Sequence, residues 1–157
     1  MPTVRLGFSP APAHVRTARL VAVAVARRAG VPEGMLDEVR LAVGEACSRA
    51  VALHRLYGLV DLVEVEMTDD VRFEVRVLDR APGETRLANG ALPDPLALVG
   101  AVPDRPEVGE GAPFPDETVA VGVGLALLAG LVEDVEVGPA DEAGVGTVVR
   151  MSWRVTV

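Results

Sequence analysis

Hydrophobic and polar positions first alternate along this chain and then change period. From Thr3 to Phe8, Val4, Leu6 and Phe8 fall on one side and Arg5 on the other, the period of a half-buried strand. Pro10 and Pro12 break it. From about Val15 to Ala29 the pattern turns helical, with Ala18, Val21, Val25 and Ala29 on one stripe and Gly30 placed as a C-terminal stop. Pro32 opens a second helix, where Leu36, Val39, Val43, Cys47 and Ala50 share a stripe while Arg40, Ser48 and Arg55 occupy other faces, ending near Gly58.

Alternation then returns. Val63, Val65 and Met67 interleave with Glu64 and Glu66, Asp69 and Asp70 mark a turn, and Val71, Phe73, Val75 and Val77 interleave with Arg72, Glu74 and Arg76, which predicts a hairpin with one wet face. Between Ala81 and Asp116 no period survives, and seven of the twelve prolines gather there. So long a stretch is a lid over a site or an insertion without ligand contacts. A helix over 118–131, a strand over 132–137, a Gly-containing turn and a strand over 147–157 complete the reading, the last with Thr147, Val149, Met151, Trp153 and Val155 on one face. The order predicts an α+β fold, a two-layer sandwich in which helices cover one face of a mixed, mostly antiparallel sheet. One domain over residues 1–157 is expected, with no internal repeat.

Composition narrows the functions. Half of the residues are hydrophobic and only 3% aromatic, so Val, Leu and Ala must build the core. A net charge of −8 presents no basic footprint for nucleic acid. All 15 positive residues are Arg, which removes lysine Schiff-base chemistry and the lysine of a Walker-type phosphate site. His14, His54 and the single Cys47 make no metal-ligand spacing, and Cys47 reads as a small buried hydrophobe. One cysteine, no leader-like N-terminus and no apolar run long enough to span a bilayer make a cytoplasmic location the expectation.

Three places carry candidate chemistry. In Gly44-Glu45-Ala46-Cys47-Ser48-Arg49-Ala50-Val51, Glu45 is a carboxylate on an otherwise largely apolar helix and a candidate general base. In Val77-Leu78-Asp79-Arg80-Ala81-Pro82-Gly83, Asp79 ends a buried strand, where it can accept from a base amino group. In Val121-Gly122-Val123-Gly124-Leu125, bare backbone N–H groups at a helix start can meet phosphate. Each has a plain alternative: a helix ion pair for Glu45, a strand-end turn for Asp79, close packing for the glycines.

Taken in this order, with the closing Gly146-Thr147-Val148-Val149-Arg150-Met151, these segments resemble the Bergerat ATP-binding fold shared by gyrases and histidine kinases. Within it they look like the anti-sigma-factor serine kinases of the RsbW and SpoIIAB type. The resemblance implies that Glu45 is the general base acting on a partner's serine, that Asp79 faces adenine, and that Gly83, Gly122, Gly124 and Thr147 fall on other nucleotide-pocket positions. It implies ATP as cofactor, with Mg²⁺ only alongside it. It also implies a sigma factor or a STAS-type anti-sigma-factor antagonist as partner, a homodimer, and partner contact through helix one, where Arg16, Arg19, Arg27 and Arg28 form a basic side.

Two positions depart from that pattern. Arg49 stands where the family's Asn holds Mg²⁺, and a guanidinium has five donors and no acceptor. Ala81 followed by Pro82 replaces the first glycine of the family's Asp-x-Gly turn. Arg49 is spaced i,i+4 from Glu45 in the favourable orientation, so the first expectation is a Glu45–Arg49 ion pair; the alternative is an arginine on nucleotide phosphate. Two functions follow: a binding module with weakened or lost use of Mg-ATP, or an active serine kinase that phosphorylates an antagonist. A purely structural domain ranks third.

Overall fold

The computed structural model describes residues 2–82, 128, 130–141 and 145–156. Their elements run β1 (Thr3–Phe8), α1 (Pro12–Ala29), a 3-10 turn (Glu33–Met35), α2 (Leu36–Leu56), β2 (Val63–Asp69), β3 (Arg72–Asp79), β4 (Asp134–Pro139) and β5 (Thr147–Arg154). The five strands form one sheet in the order β1-β2-β3-β5-β4, and each of the four pairings is antiparallel. Both helices pack on one face of it, which is the expected α+β arrangement.

Helix α1 begins earlier than its apolar stripe suggests. Pro12 occupies the first turn, where its missing N–H costs no hydrogen bond. Its buried stripe is Val15, Ala18, Ala22, Val25 and Ala26, displaced from the predicted one so that Val21 and Ala29 are only partly covered. Small side chains let α1 lie close on α2. Gly30 ends the helix in the left-handed region at φ 94°, and its carbonyl accepts from the N–H of Thr156, joining the helix end to the chain beyond β5.

Pro32 opens the 3-10 turn rather than α2 itself, which starts at Leu36. The predicted stripe of α2 holds: Leu36, Val39, Val43, Cys47 and Ala50 are all buried. Opposite them lie Val63, Val65 and Met67 of β2, Phe73, Val75 and Val77 of β3, and Val149, Met151 and Trp153 of β5. The indole N–H of Trp153 donates to Glu38 Oε1 at 2.9 Å, pinning the start of α2 to β5.

The hairpin turns one residue later than predicted. Val71 stands in the turn, 82% exposed, and β3 begins at Arg72. On the face away from the helices, arginines and carboxylates interleave: Arg5 with Glu66, Arg80 with Glu64, and Arg150 with both Glu74 and Glu136. Such exposed pairs each contribute at most about 1 kcal/mol and keep this face wet. The predicted strand at 132–137 lies two residues further on, at Asp134–Pro139. Of the predicted helix at 118–131, Leu128, Gly130 and Leu131 are described and helical; the rest, and the stretch from Gly83 to Asp116, lie outside the described residues. No helix among the described residues is long and apolar enough to cross a membrane.

Candidate functional site

Strand parity places the first site residue. On β3, Phe73, Val75 and Val77 point at the helices, so Asp79, two further on, points there too. It is 1% exposed, and its register partner on β5 is Thr147, also buried. A carboxylate in that position needs internal partners. Its Oδ1 accepts the backbone N–H of Ala81 at 3.0 Å. Its Oδ2 accepts Nη1–H of Arg49 at 3.1 Å.

Helix period places the second. Arg49 lies among Ala46, Ala50 and Leu53 on the inward side of α2 and is 2% exposed. The pair it makes is therefore with Asp79, thirty residues away, and the expected Glu45–Arg49 pair does not form. A surface pair one helical turn apart is worth about 0.3–0.5 kcal/mol, whereas a guanidinium taken out of water without a carboxylate would cost several kcal/mol. Arg49 Nε is buried and has no hydrogen-bond partner among the described residues. Burial pushes the Asp79 carboxyl above the usual carboxylate range, against the pull of Arg49 and the Ala81 N–H.

A glycine, an alanine and a histidine complete this corner. Gly146, at φ 82°, donates its N–H to the carbonyl of Ala81 at 2.9 Å, and a side chain there would run into the carbonyl of Asp79. Ala81, which stands in place of the family's first glycine, is buried within the turn and supplies both the N–H that holds Asp79 and the carbonyl that holds Gly146. His54, fully buried on α2, accepts the N–H of Arg80 at Nε2 at 2.8 Å. Its Nδ1 must then carry the proton, which it donates to the carbonyl of Asp61 at 3.0 Å. Sequence reasoning assigned His54 no role; nothing local marks a helix residue whose partner is 26 positions away.

Glu45 is half-buried, and among the described residues its carboxylate has no hydrogen-bond or ion-pair partner. Just before it, Gly44 is the contact point with α1. A Cβ there would sit 2.7 Å from Cδ of Arg19, so the bare glycine is what lets the Arg19 stem lie across α2. Arg16 lies exposed one turn earlier on α1, and Leu20 and Leu41 are exposed apolar residues on the same two helices. Cys47 is inert: burial pushes its thiol up to about 12, with Arg19 pulling weakly the other way.

The fold thus brings Arg49, Asp79 and Thr147 to one end of the sheet, with Glu45 one turn away on α2. Arg16 and Arg19 lie on the helical face. Gly83, Gly122 and Gly124 lie outside the described residues. Among the described residues no group of His, Cys, Asp or Glu is arranged to hold a metal ion.

A family model for the histidine kinase-like ATPase domain matches residues 8–153. No curated protein matches the chain.

Proposed function

The chain belongs to the histidine kinase-like ATPase domain family, and from that premise we propose that it is a partner-switching regulator of transcription that binds a sigma factor, a STAS-type anti-sigma-factor antagonist, or both. In this reading it works as a homodimer and makes little use of Mg-ATP. The observation that carries the reading is the crossing of Arg19 over Gly44. Packing of its stem on the glycine holds an otherwise exposed guanidinium on the helical face, in a protein whose net charge is −8. With Arg16, Leu20 and Leu41 it makes a basic and partly apolar surface, the chemistry that an acidic, apolar-edged protein surface would match.

The test uses purified components: the chain titrated by calorimetry with each sigma factor and each STAS-type antagonist of its own genome. Saturable binding is expected, weakened at least about tenfold by Arg19→Glu, with Arg5→Glu on the far face of the sheet as the control. Binding to none of them, or equal loss in both variants, removes the reading.

An active serine kinase is the second reading, favoured by the Glu45 carboxylate, which has no partner among the described residues. Glu45 would take the proton of a partner's serine hydroxyl as that oxygen bonds to the γ-phosphorus and ADP leaves. Phosphate transfer to an antagonist that is abolished in Glu45→Gln would establish it.

A further inference from the structure

The family to which the chain belongs implies a bound nucleotide and, with it, a magnesium ion. The residues described at this corner do not fit them. Arg49 has donors only and offers no lone pair to a cation. Both oxygens of Asp79 are engaged inside the protein, one by the Ala81 N–H and one by the Arg49 guanidinium. Each carboxylate oxygen could accept a second bond, but a base amino group would have to reach it past a guanidinium packed against Oδ2 and a turn closed on Oδ1, on a side chain only 1% exposed.

Two further facts make this an occupied position rather than a neighbouring contact. Arg49 and Asp79 are 2% and 1% exposed, so neither can turn to solvent without opening the junction between α2 and β3. The turn around Asp79 is also closed from its other side, where Gly146 donates to Ala81 and His54 accepts from Arg80. Breaking the pair to admit a ligand would leave a buried cation and a buried anion to be satisfied separately, on a guanidinium whose Nε already lacks a partner among the described residues.

We propose that the Arg49 guanidinium is an internal ligand of this site: it satisfies the Asp79 carboxylate in place of a nucleotide base, so that the domain is complete without nucleotide. This inference rests on the family footing of the proposed function, but not on the identity of any partner. It also competes with the alternative in which Arg49 reaches nucleotide phosphates, because a guanidinium only 2% exposed and packed against Asp79 would have to leave the junction to meet a phosphate.

Thermal unfolding of the full chain tests it. Wild-type protein is expected to show no change in Tm with millimolar ATP, with or without Mg²⁺. A Tm that climbs with the logarithm of ATP concentration would overturn the proposal. Arg49→Asn vacates the position and returns a side-chain oxygen; its Tm should lie below that of the wild type and rise on adding Mg-ATP. A folded Arg49→Asn protein that ignores nucleotide sinks the claim that the guanidinium is what excludes it.

Should Arg49→Asn not fold, the pair is read from a mutant cycle. Arg49→Met and Asp79→Leu should each lower Tm by roughly 10 °C or more, and the double variant should recover most of that loss, because two apolar groups replace two charges that existed for each other. A double variant whose loss equals the sum of the singles shows that the two residues are not coupled and overturns the proposal. Loss of partner binding with these results intact would instead remove the regulatory reading and leave the internal ligand standing.

Discussion

His54 Nε2 accepts the backbone N–H of Arg80 at 2.8 Å, while its Nδ1 donates to the carbonyl of Asp61 at 3.0 Å. One buried ring therefore ties α2 both to the loop that follows it and to the exit of β3, next to Asp79. His54→Phe keeps much of the volume and deletes both bonds. With two main-chain groups losing a partner at about 1–3 kcal/mol each, the expected loss is about 2–6 kcal/mol by urea denaturation. A loss below about 1 kcal/mol would show that water replaces the ring.

Gly146 is held at φ 82° with its would-be side chain against the Asp79 carbonyl. Gly146→Ala meets left-handed strain and a backbone clash together. A loss of at least about 1–3 kcal/mol is expected, against under about 1 kcal/mol for Gly34→Ala, where a Cβ would meet nothing within 4 Å. Paired urea denaturation curves give the comparison.

Asp79 has its carboxyl raised on folding, with burial the largest cause. Between the unfolded value, about 3.9, and the raised folded value, the native state holds more protons than the unfolded one, so stability falls as pH rises through that window. The Arg49→Met/Asp79→Leu variant lacks this contribution. Stability of the wild type relative to the double variant should accordingly be greatest below about pH 4, decline as pH rises, and level off above the folded value. A difference that grows with pH would show that the Arg49 contact outweighs burial.

Cys47 should be unreactive in the native protein. With its thiol buried and pushed up to about 12, almost no thiolate exists at pH 8. A chromogenic disulfide reagent should label it only at the rate of unfolding, and immediately in urea. Fast labelling of the folded protein would mean that the packing around α2 opens readily.

Gly44→Ala tests the helical face without touching a charge. The new methyl group would meet the Arg19 stem at 2.7 Å from Cδ and must displace it. If Arg19 binds the partner from this position, affinity should fall about threefold to tenfold while Tm changes little. Unchanged affinity would place the contact elsewhere on the helix.

Much of the architecture was legible in the sequence. Period-2 alternation located β1, β2, β3 and β5, because a strand with one wet face must alternate whatever packs on it. The stripe Leu36, Val39, Val43, Cys47 and Ala50 located the inward side of α2. Gly30 marked the end of α1, since only a residue at ease in the left-handed region stops a helix that way. Strand parity even implied that Asp79 faces inward with Val75 and Val77. The tertiary structure decided which charges meet. Spacing offered Glu45 as the partner of Arg49, the only neighbour a helix can supply from within itself. Packing α2 on the sheet buried Arg49 and brought it to Asp79, and in a medium of low dielectric the demand of a desolvated guanidinium for a desolvated carboxylate overrides a weak surface pairing. Similarly, His54 acquired its role only when residues 54, 61 and 80 converged on one ring, a coincidence of chain path that no local pattern encodes.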